Sequence, residues 1–350
     1  RAHPEIAEAA LEWKPRLNWE WSAVVDVVAR PRQEQPVDFA QAYVQYKPVP
    51  RSATRFSARA GLFYPPVSLE HDAPVWGLTN TITPSAINSW VGEEVKVLGG
   101  EASVEHDFGG RQVGLTGAVF AYDDTSGTLL TYRGWALHDI QSTARGAFDL
   151  PPLSAFAQGV QGDESYTSVE IDGRVGWYAR LEWRPAGNLA LNAFHYENRG
   201  DRTGVTSGPQ WAWDTQFTDV GLDWKAGPHT RVLAQALFGH TSDGYPTAHG
   251  LFADVGFRAA YGLVSQDIGA GTLTGRLDLF AVTDHSLVVA DNNDEHGWAL
   301  TGAYRRPLGE HADLRFEALH VWSHRPSRTL AGLAPDQAQT VLQTSLRLKF

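Results

Sequence analysis

The sequence predicts an all-β chain rolled into a transmembrane antiparallel β-barrel of 14–16 strands, and three observations carry that prediction. Apolar and polar residues alternate with period two in one segment after another. The connections between those segments alternate short and long, as in a barrel with tight turns at one end and loops at the other. No run reaches the ~18 apolar residues of a membrane-crossing helix, so any lipid-facing surface must be one side of strands.

Taken in chain order, residues 1–16 form an N-terminal segment outside the regular pattern, and strand-like segments begin near Leu17. Phe56, Ala58, Ala60, Leu62 and Tyr64 alternate with Arg55, Ser57 and Arg59. Residues 65–96 then form a long connection, and residues 123–165 a second one; loops of this size in a compact protein are uncommon and often functional. Both carry apolar and proline-bearing stretches that need burial, and the lumen is the expected place for them. From Val169 to Trp183, an apolar face (Val169, Ile171, Val175, Trp177, Ala179, Leu181, Trp183) opposes Glu170, Asp172, Arg174, Tyr178, Arg180 and Glu182. In the same way Leu251 to Leu263 opposes Asp254 and Arg258, Leu273 to Ala281 opposes Arg276 and Asp278, and Leu314 to Ala318 opposes Arg315 and Glu317. The apolar sides are expected to face lipid and the charged sides water. Fourteen strands follow from turn parity; a strand within residues 128–138, with a partner, would make 16. On the 14-strand count the N-terminal segment is expected at the short-turn mouth or beside the last strand.

Composition excludes several function classes. There is no cysteine, hence no disulfide, thiol nucleophile or Cys-ligated metal. The net charge of -11 argues against nucleic acid as a partner. The chain opens on Arg1-Ala2-His3-Pro4 and reads as a mature form whose secretory leader is gone. The run Asp291-Asn292-Asn293-Asp294-Glu295 is rich in oxygen ligands but lacks EF-hand spacing, and reads as a solvated loop. His240 lies near Ser242 and Asp243, yet there is no nucleophile elbow or zinc pattern, so no enzyme, metal or cofactor is expected.

The last segment is the most specific: Thr340, Leu342, Thr344, Leu346, Leu348 and a final Phe350 alternate with Val341, Gln343, Ser345, Arg347 and Lys349. Residues 337–350 resemble the C-terminal strand of bacterial outer-membrane proteins, which implies recognition by the barrel-assembly machinery and contact with outer-membrane lipid and lipopolysaccharide. Ala42-Tyr43-Val44-Gln45-Tyr46-Lys47-Pro48, followed by Ser57 to Pro66, is similar to the phosphate-selective O/P type of porin. That resemblance implies a trimeric, 16-stranded pore with a basic ladder guiding anions. This chain departs from it, because its inward residues mix arginines with Glu20, Asp26, Glu101, Glu105, Asp254, Asp278 and Glu317. Charge rings of one sign set selectivity, so the architecture carries over and the substrate does not; passive diffusion of small hydrophilic solutes is the expected function.

A pore of this kind needs a constriction. The candidates are Trp76, Asn80, Trp90, Glu93 and Glu94 (with Thr81 and Asn88) in the first long connection, Arg133 and Trp135 (with Tyr132, His138 and Asp139) in the second, and wall residues Arg55, Arg59, Arg174 and Arg180. Trp177, Trp183, Trp224, Tyr261 and Phe350 are expected in the aromatic girdles at the membrane interfaces.

Overall fold

The computed structural model describes residues 6–31 and 33–350. The first six strands are β1 (Ala9–Trp13), β2 (Trp21–Ala29), β3 (Val37–Tyr46), β4 (Thr54–Phe63), β5 (Val97–Asp107) and β6 (Gln112–Ala121). A one-turn helix α1 (Thr128–Tyr132) and the small hairpin β7 (Ala147–Asp149) and β8 (Glu164–Tyr166) follow. The wall then continues with β9 (Gly176–Ala186), β10 (Leu189–Glu197), β11 (Asp214–Gly227), β12 (Thr230–Asp243) and β13 (Ala253–Ile268). It finishes with β14 (Gly271–Asp284), β15 (Glu295–Pro307), β16 (Ala312–His324) and β17 (Asp336–Leu348).

Fifteen of these strands make one sheet in chain order, with only β7 and β8 apart, and every neighbouring pair is antiparallel. Seven connections are short and gather at one end, such as the β9–β10 and β13–β14 turns; the long ones gather at the other. The wall therefore has the predicted fourteen long strands plus β1. Among the described residues, the N-terminal segment pairs with β2, through Ala9 opposite Ala29 and Trp13 opposite Val25, and not with the last strand. Residues 128–132 are helical, so they add no strand.

Strand alternation gives the wall two different faces. On β14, Leu273, Leu277 and Leu279 are exposed, whereas Thr274, Arg276, Asp278 and Phe280 between them are buried. The same holds on β6 (Leu115, Val119), β9 (Leu181, Trp183), β11 (Val220, Trp224) and β15 (Trp298, Leu300), whose outward apolar side chains are exposed. An apolar surface spread around a whole sheet exceeds what soluble monomers expose and matches a wall against hydrocarbon. The sheet curls so far that its two edges reach one stretch of chain. On one side Glu12 of β1 accepts the Val75 amide at 3.2 Å; on the other Arg347 of β17 donates to the Leu78 carbonyl at 3.1 Å.

Three sequence expectations change. On β13 it is the apolar side, Val255, Phe257, Ala259, Tyr261 and Leu263, that is buried, while Arg258 is exposed. Tyr261 therefore faces inward, donating to Gln235 Oε1 at 2.9 Å, and is no interface aromatic; Arg258 and Asp254 leave the lumen. The strand beginning at Val169 starts only at Gly176, and Arg174 is held in the rim beside Asp201 at 2.9 Å. The physical reason for β13 lies in what fills the barrel. The inner side of β13 does not meet water but the apolar part of a plug, whereas the inner polar residues of β12 and β14 hold that plug's backbone.

Candidate pore constriction

The plug is built by the two long connections, which run over residues 64–96 and 122–175. The first crosses the lumen towards the short-turn end and is tied to one wall strand after another. The Leu69 amide donates to Gln235 Oε1 of β12 at 3.2 Å, and Asp72 pairs with Arg231 of the same strand at 2.6 Å. After the two edge contacts at Val75 and Leu78, Arg315 of β16 donates to the carbonyls of Leu78 and Thr81, both at 3.0 Å. Glu317 accepts the Ile82 and Thr83 amides at 2.6 and 3.1 Å, and Gln343 of β17 donates to Thr83 Oγ1 at 2.7 Å.

Arg276 of β14 is the central anchor. Its fully buried guanidinium donates to Asp278 at 2.8 Å, Glu70 at 3.2 Å, Thr301 Oγ1 at 3.2 Å and the carbonyls of Thr83 and Pro84, both at 2.8 Å. Asp278 in turn accepts the Ala86 amide at 3.0 Å. Inward charged residues here satisfy the backbone of an irregular loop, which would otherwise be buried without partners.

The chain then turns through a helical segment, Asn88–Gly92, that is wholly buried. Trp90 packs inside the barrel against the β11–β13 wall, 4.9 Å from Phe257, 5.7 Å from Phe217 and 5.9 Å from Trp135, ring centre to ring centre, in tilted or edge-to-face geometry. Its indole donates to the Ser126 carbonyl at 3.2 Å. Ile87, Val91, Val95, Phe120, Tyr178, Phe194, Tyr196 and Leu237 join the same buried cluster. The second connection completes it: Trp135 is fixed by its amide to Glu295 (2.8 Å) and its indole to the Ala281 carbonyl (3.1 Å). Arg325 ties α1 down through the Thr131 and Tyr132 carbonyls at 2.6 and 3.0 Å.

A charged network joins the two connections. Arg133 pairs with Glu94 at 2.7 Å, and His138 lies 2.9 Å from Glu94 and 3.4 Å from Glu93. Glu93 also faces the buried His71 at 3.5 Å. The two glutamates outweigh burial, which alone would lower it, and push the His138 imidazole up to about 9. His138 and His71 in turn hold Glu93 below the usual carboxylate range, and Arg133 with His138 does the same for Glu94. Gly92 is required here, since a Cβ would come within 2.8 Å of the His71 ring.

The predicted site residues therefore divide into groups. Glu93, Glu94, Arg133 and His138 come together in this network, with Asp139 beside it and exposed. Trp90 and Trp135 are close but belong to the buried aromatic core. Trp76 stacks between Tyr64 and His71, each 5.3 Å away, and Asn80 lies on the loop near Arg315. Arg59 pairs with Glu101 at 2.8 Å, Arg55 with Glu105 at 3.2 Å and Arg180 with Glu182 at 2.7 Å, all on the β4–β9 wall. Trp177, Trp183 and Trp224 face outward; Phe350 is fully exposed at the chain end. Glu295 anchors the plug through the Trp135 amide and lies 3.6 Å from Arg325. His240 lies 2.5 Å from Asp254, but Ser242 Oγ has no hydrogen bond, so no Ser–His relay is assembled.

Sequence reasoning missed His71 and Glu70. Single polar residues in an irregular loop carry no periodic signal, and their partners lie far along the chain.

Among solved structures, the chain is similar to the outer membrane channel DcaP of Acinetobacter baumannii (TM-score 0.57, 10% identity, covering 97% of this chain and 84% of that one). It is also similar to an anion-selective porin from Comamonas acidovorans (TM-score 0.53, 13% identity, 98% and 89% covered). A third likeness is to a loop-deleted form of OmpT, an outer membrane protein of Vibrio cholerae (TM-score 0.51, 9% identity, 97% and 90% covered). The fold is that of outer-membrane porins. No family model and no curated protein matches the sequence.

Proposed function

We propose that the chain is a porin of the bacterial outer membrane, through which small hydrophilic solutes or ions diffuse passively past the plug. The observation that carries this reading is the division of the wall into an apolar outside and a charged inside that holds an inward-folded loop. The porin fold shared with DcaP and the Comamonas porin supports it. The constriction is assigned to Arg133, Glu93, Glu94 and His138, with Arg59 and Glu101 on the β4–β5 wall. Both signs of charge occur at each place, so weak ion selectivity is expected. No catalytic step is assigned to the chain.

A second reading is favoured by the buried Trp90 cluster: the plug closes the lumen at rest, and the barrel serves a structural role. Planar-bilayer recording of the purified protein separates the two. Steady ohmic conductance supports diffusion. Its absence, in wild type and in a variant lacking residues 70–90 alike, removes the transport reading.

A further inference from the structure

At the long-connection end of the wall, three outward side chains on three neighbouring strands fall in one row. His296, near the start of β15, stands opposite His324, the last residue of β16, and His324 stands opposite Asp336, the first of β17. Their phase is outward, because the adjoining Glu295 and Ser323 are buried on the inner side. The row is open to solvent: His296 is exposed, and 34% of the His324 side chain and 66% of the Asp336 side chain remain accessible.

The two imidazoles are paired, with ring centres 5.3 Å apart and 26° between their planes. Two imidazoles sharing one tetrahedral metal through bonds of about 2.0–2.1 Å have ring centres roughly 5 Å apart. On its other side, His324 Nδ1 lies 3.0 Å from Asp336 Oδ1. A carboxylate only accepts, so in the neutral ring Nδ1 carries the proton and Nε2 keeps a lone pair. A metal-ligating histidine is typically held this way, its second nitrogen donating to a carboxylate that fixes tautomer and orientation. His296 has no hydrogen-bond partner among the described residues, and its ring is steadied by Trp322, 5.7 Å away.

His320 supplies the contrast. It lies on the same face of β16 with Nδ1 held to Thr340 Oγ1 at 2.8 Å, but its ring faces Trp298, 5.5 Å away, and not a second imidazole. Trp298 and Trp322 stand opposite each other in the row directly beneath His296 and His324. Outward aromatics mark the membrane interface, so the histidine row lies just beyond it, in water. The ladders of β15, β16 and β17 hold its backbone in place, and sites built on strands keep their geometry better than sites on loops.

We propose that His296 and His324 together bind a zinc-like divalent transition metal from solution, His324 through Nε2. Asp336 is the outer partner that orients the ring, and water fills the remaining positions. Imidazole suits zinc, nickel and copper, whereas magnesium and calcium prefer oxygen. Because the three residues come from three strands, no local motif in the sequence records them. The site stands apart from the lumen and does not depend on the transport reading.

The test uses the full chain folded in detergent, stripped with a chelator and titrated with Zn²⁺ by calorimetry, with Cu²⁺ electron paramagnetic resonance as the second readout. Wild type is expected to hold one metal that a large excess of Mg²⁺ does not displace, and its Cu²⁺ spectrum is expected to show two coordinating nitrogens. His296→Gln and His324→Gln should each weaken binding at least tenfold and leave one nitrogen in the spectrum. Asp336→Asn, which keeps both ligands, should weaken it about tenfold through lost orientation, and His320→Gln should leave it unchanged. Binding by His296→Gln as tight as by wild type overturns the site, as does an equal nitrogen count in the two; unchanged binding by Asp336→Asn overturns the orienting role. A readout without variants is imidazole acylation by diethyl pyrocarbonate, mapped by mass spectrometry. Zn²⁺ is expected to shield His296 and His324 but not His320, and equal labelling of all three with and without Zn²⁺ contradicts the proposal.

Discussion

Replacing Arg276 by Met keeps the length and apolar stem of the side chain but removes every contact of its guanidinium. Five acceptors lose their donor: Asp278, Glu70, Thr301 Oγ1 and the Thr83 and Pro84 carbonyls. Two of these are buried carboxylates, and breaking a buried pair from one side costs about 3–5 kcal/mol. The two loop carbonyls add about 1–3 kcal/mol each where water cannot reach them. The wall keeps its ladders with β13 and β15, so the loss falls on the hold over residues 70–86 and not on the barrel. The assay is single-channel conductance together with limited proteolysis in detergent. Arg276→Met is expected to raise conductance or its fluctuations and to expose cleavage within residues 70–90, with the heat-modifiable barrel intact. Unchanged conductance and an unchanged cleavage pattern would refute the reasoning.

Other consequences follow from the same packing. Trp90→Ala empties the centre of the plug, and loss of a buried Trp costs about 3–5 kcal/mol; a lower unfolding temperature with increased conductance is expected, and a wild-type melting curve would contradict the Trp90 core. The His138 network makes plug stability depend on pH. Because the folded pKa of His138, about 9, lies above the ordinary imidazole value of 6.5, its stabilisation is complete below about 6.5 and is lost as pH rises through 9. His138→Gln should therefore loosen residues 65–96, by hydrogen exchange, at pH 6 and match wild type at pH 10; an equal effect at both values rules out the charge. Arg258 faces outward, so Arg258→Leu should leave ion selectivity unchanged and favour membrane insertion; a shifted reversal potential would return it to the lumen.

Much of the wall was legible in the sequence because strand period and turn spacing are local properties. Arg276, Asp278, Arg315 and Glu317 stand out as inward charges between outward leucines and aromatics, and both long connections announce themselves by length and buried-type residues. The facing of β13 was not legible. Phe257 and Tyr261 pack on a plug whose position is set by contacts between residues far apart in sequence, so the inner side is as apolar as the outer, and hydrophobicity alone cannot choose between them. The roles of the inward charges were hidden for the same reason: Arg276, Asp278, Arg315 and Glu317 hold loop backbone, which no residue pattern encodes. Glu12 and Arg347 show this most clearly, since nothing local indicates that two strands at opposite ends of the chain meet the same few loop residues.

The first long connection lies inside the barrel against the last strand, and the plug stands or falls with that placement. The cysteine-free chain allows a clean test: Thr83→Cys with Gln343→Cys, treated with a short thiol-to-thiol crosslinker on the folded, membrane-inserted protein. The Thr83 hydroxyl and the Gln343 amide are 2.7 Å apart, so near-complete internal crosslinking is expected, with Thr83→Cys and Leu342→Cys, which faces outward, giving none. A pair at 83 and 343 that fails to crosslink, or one at 83 and 342 that does so equally well, would contradict the plugged barrel.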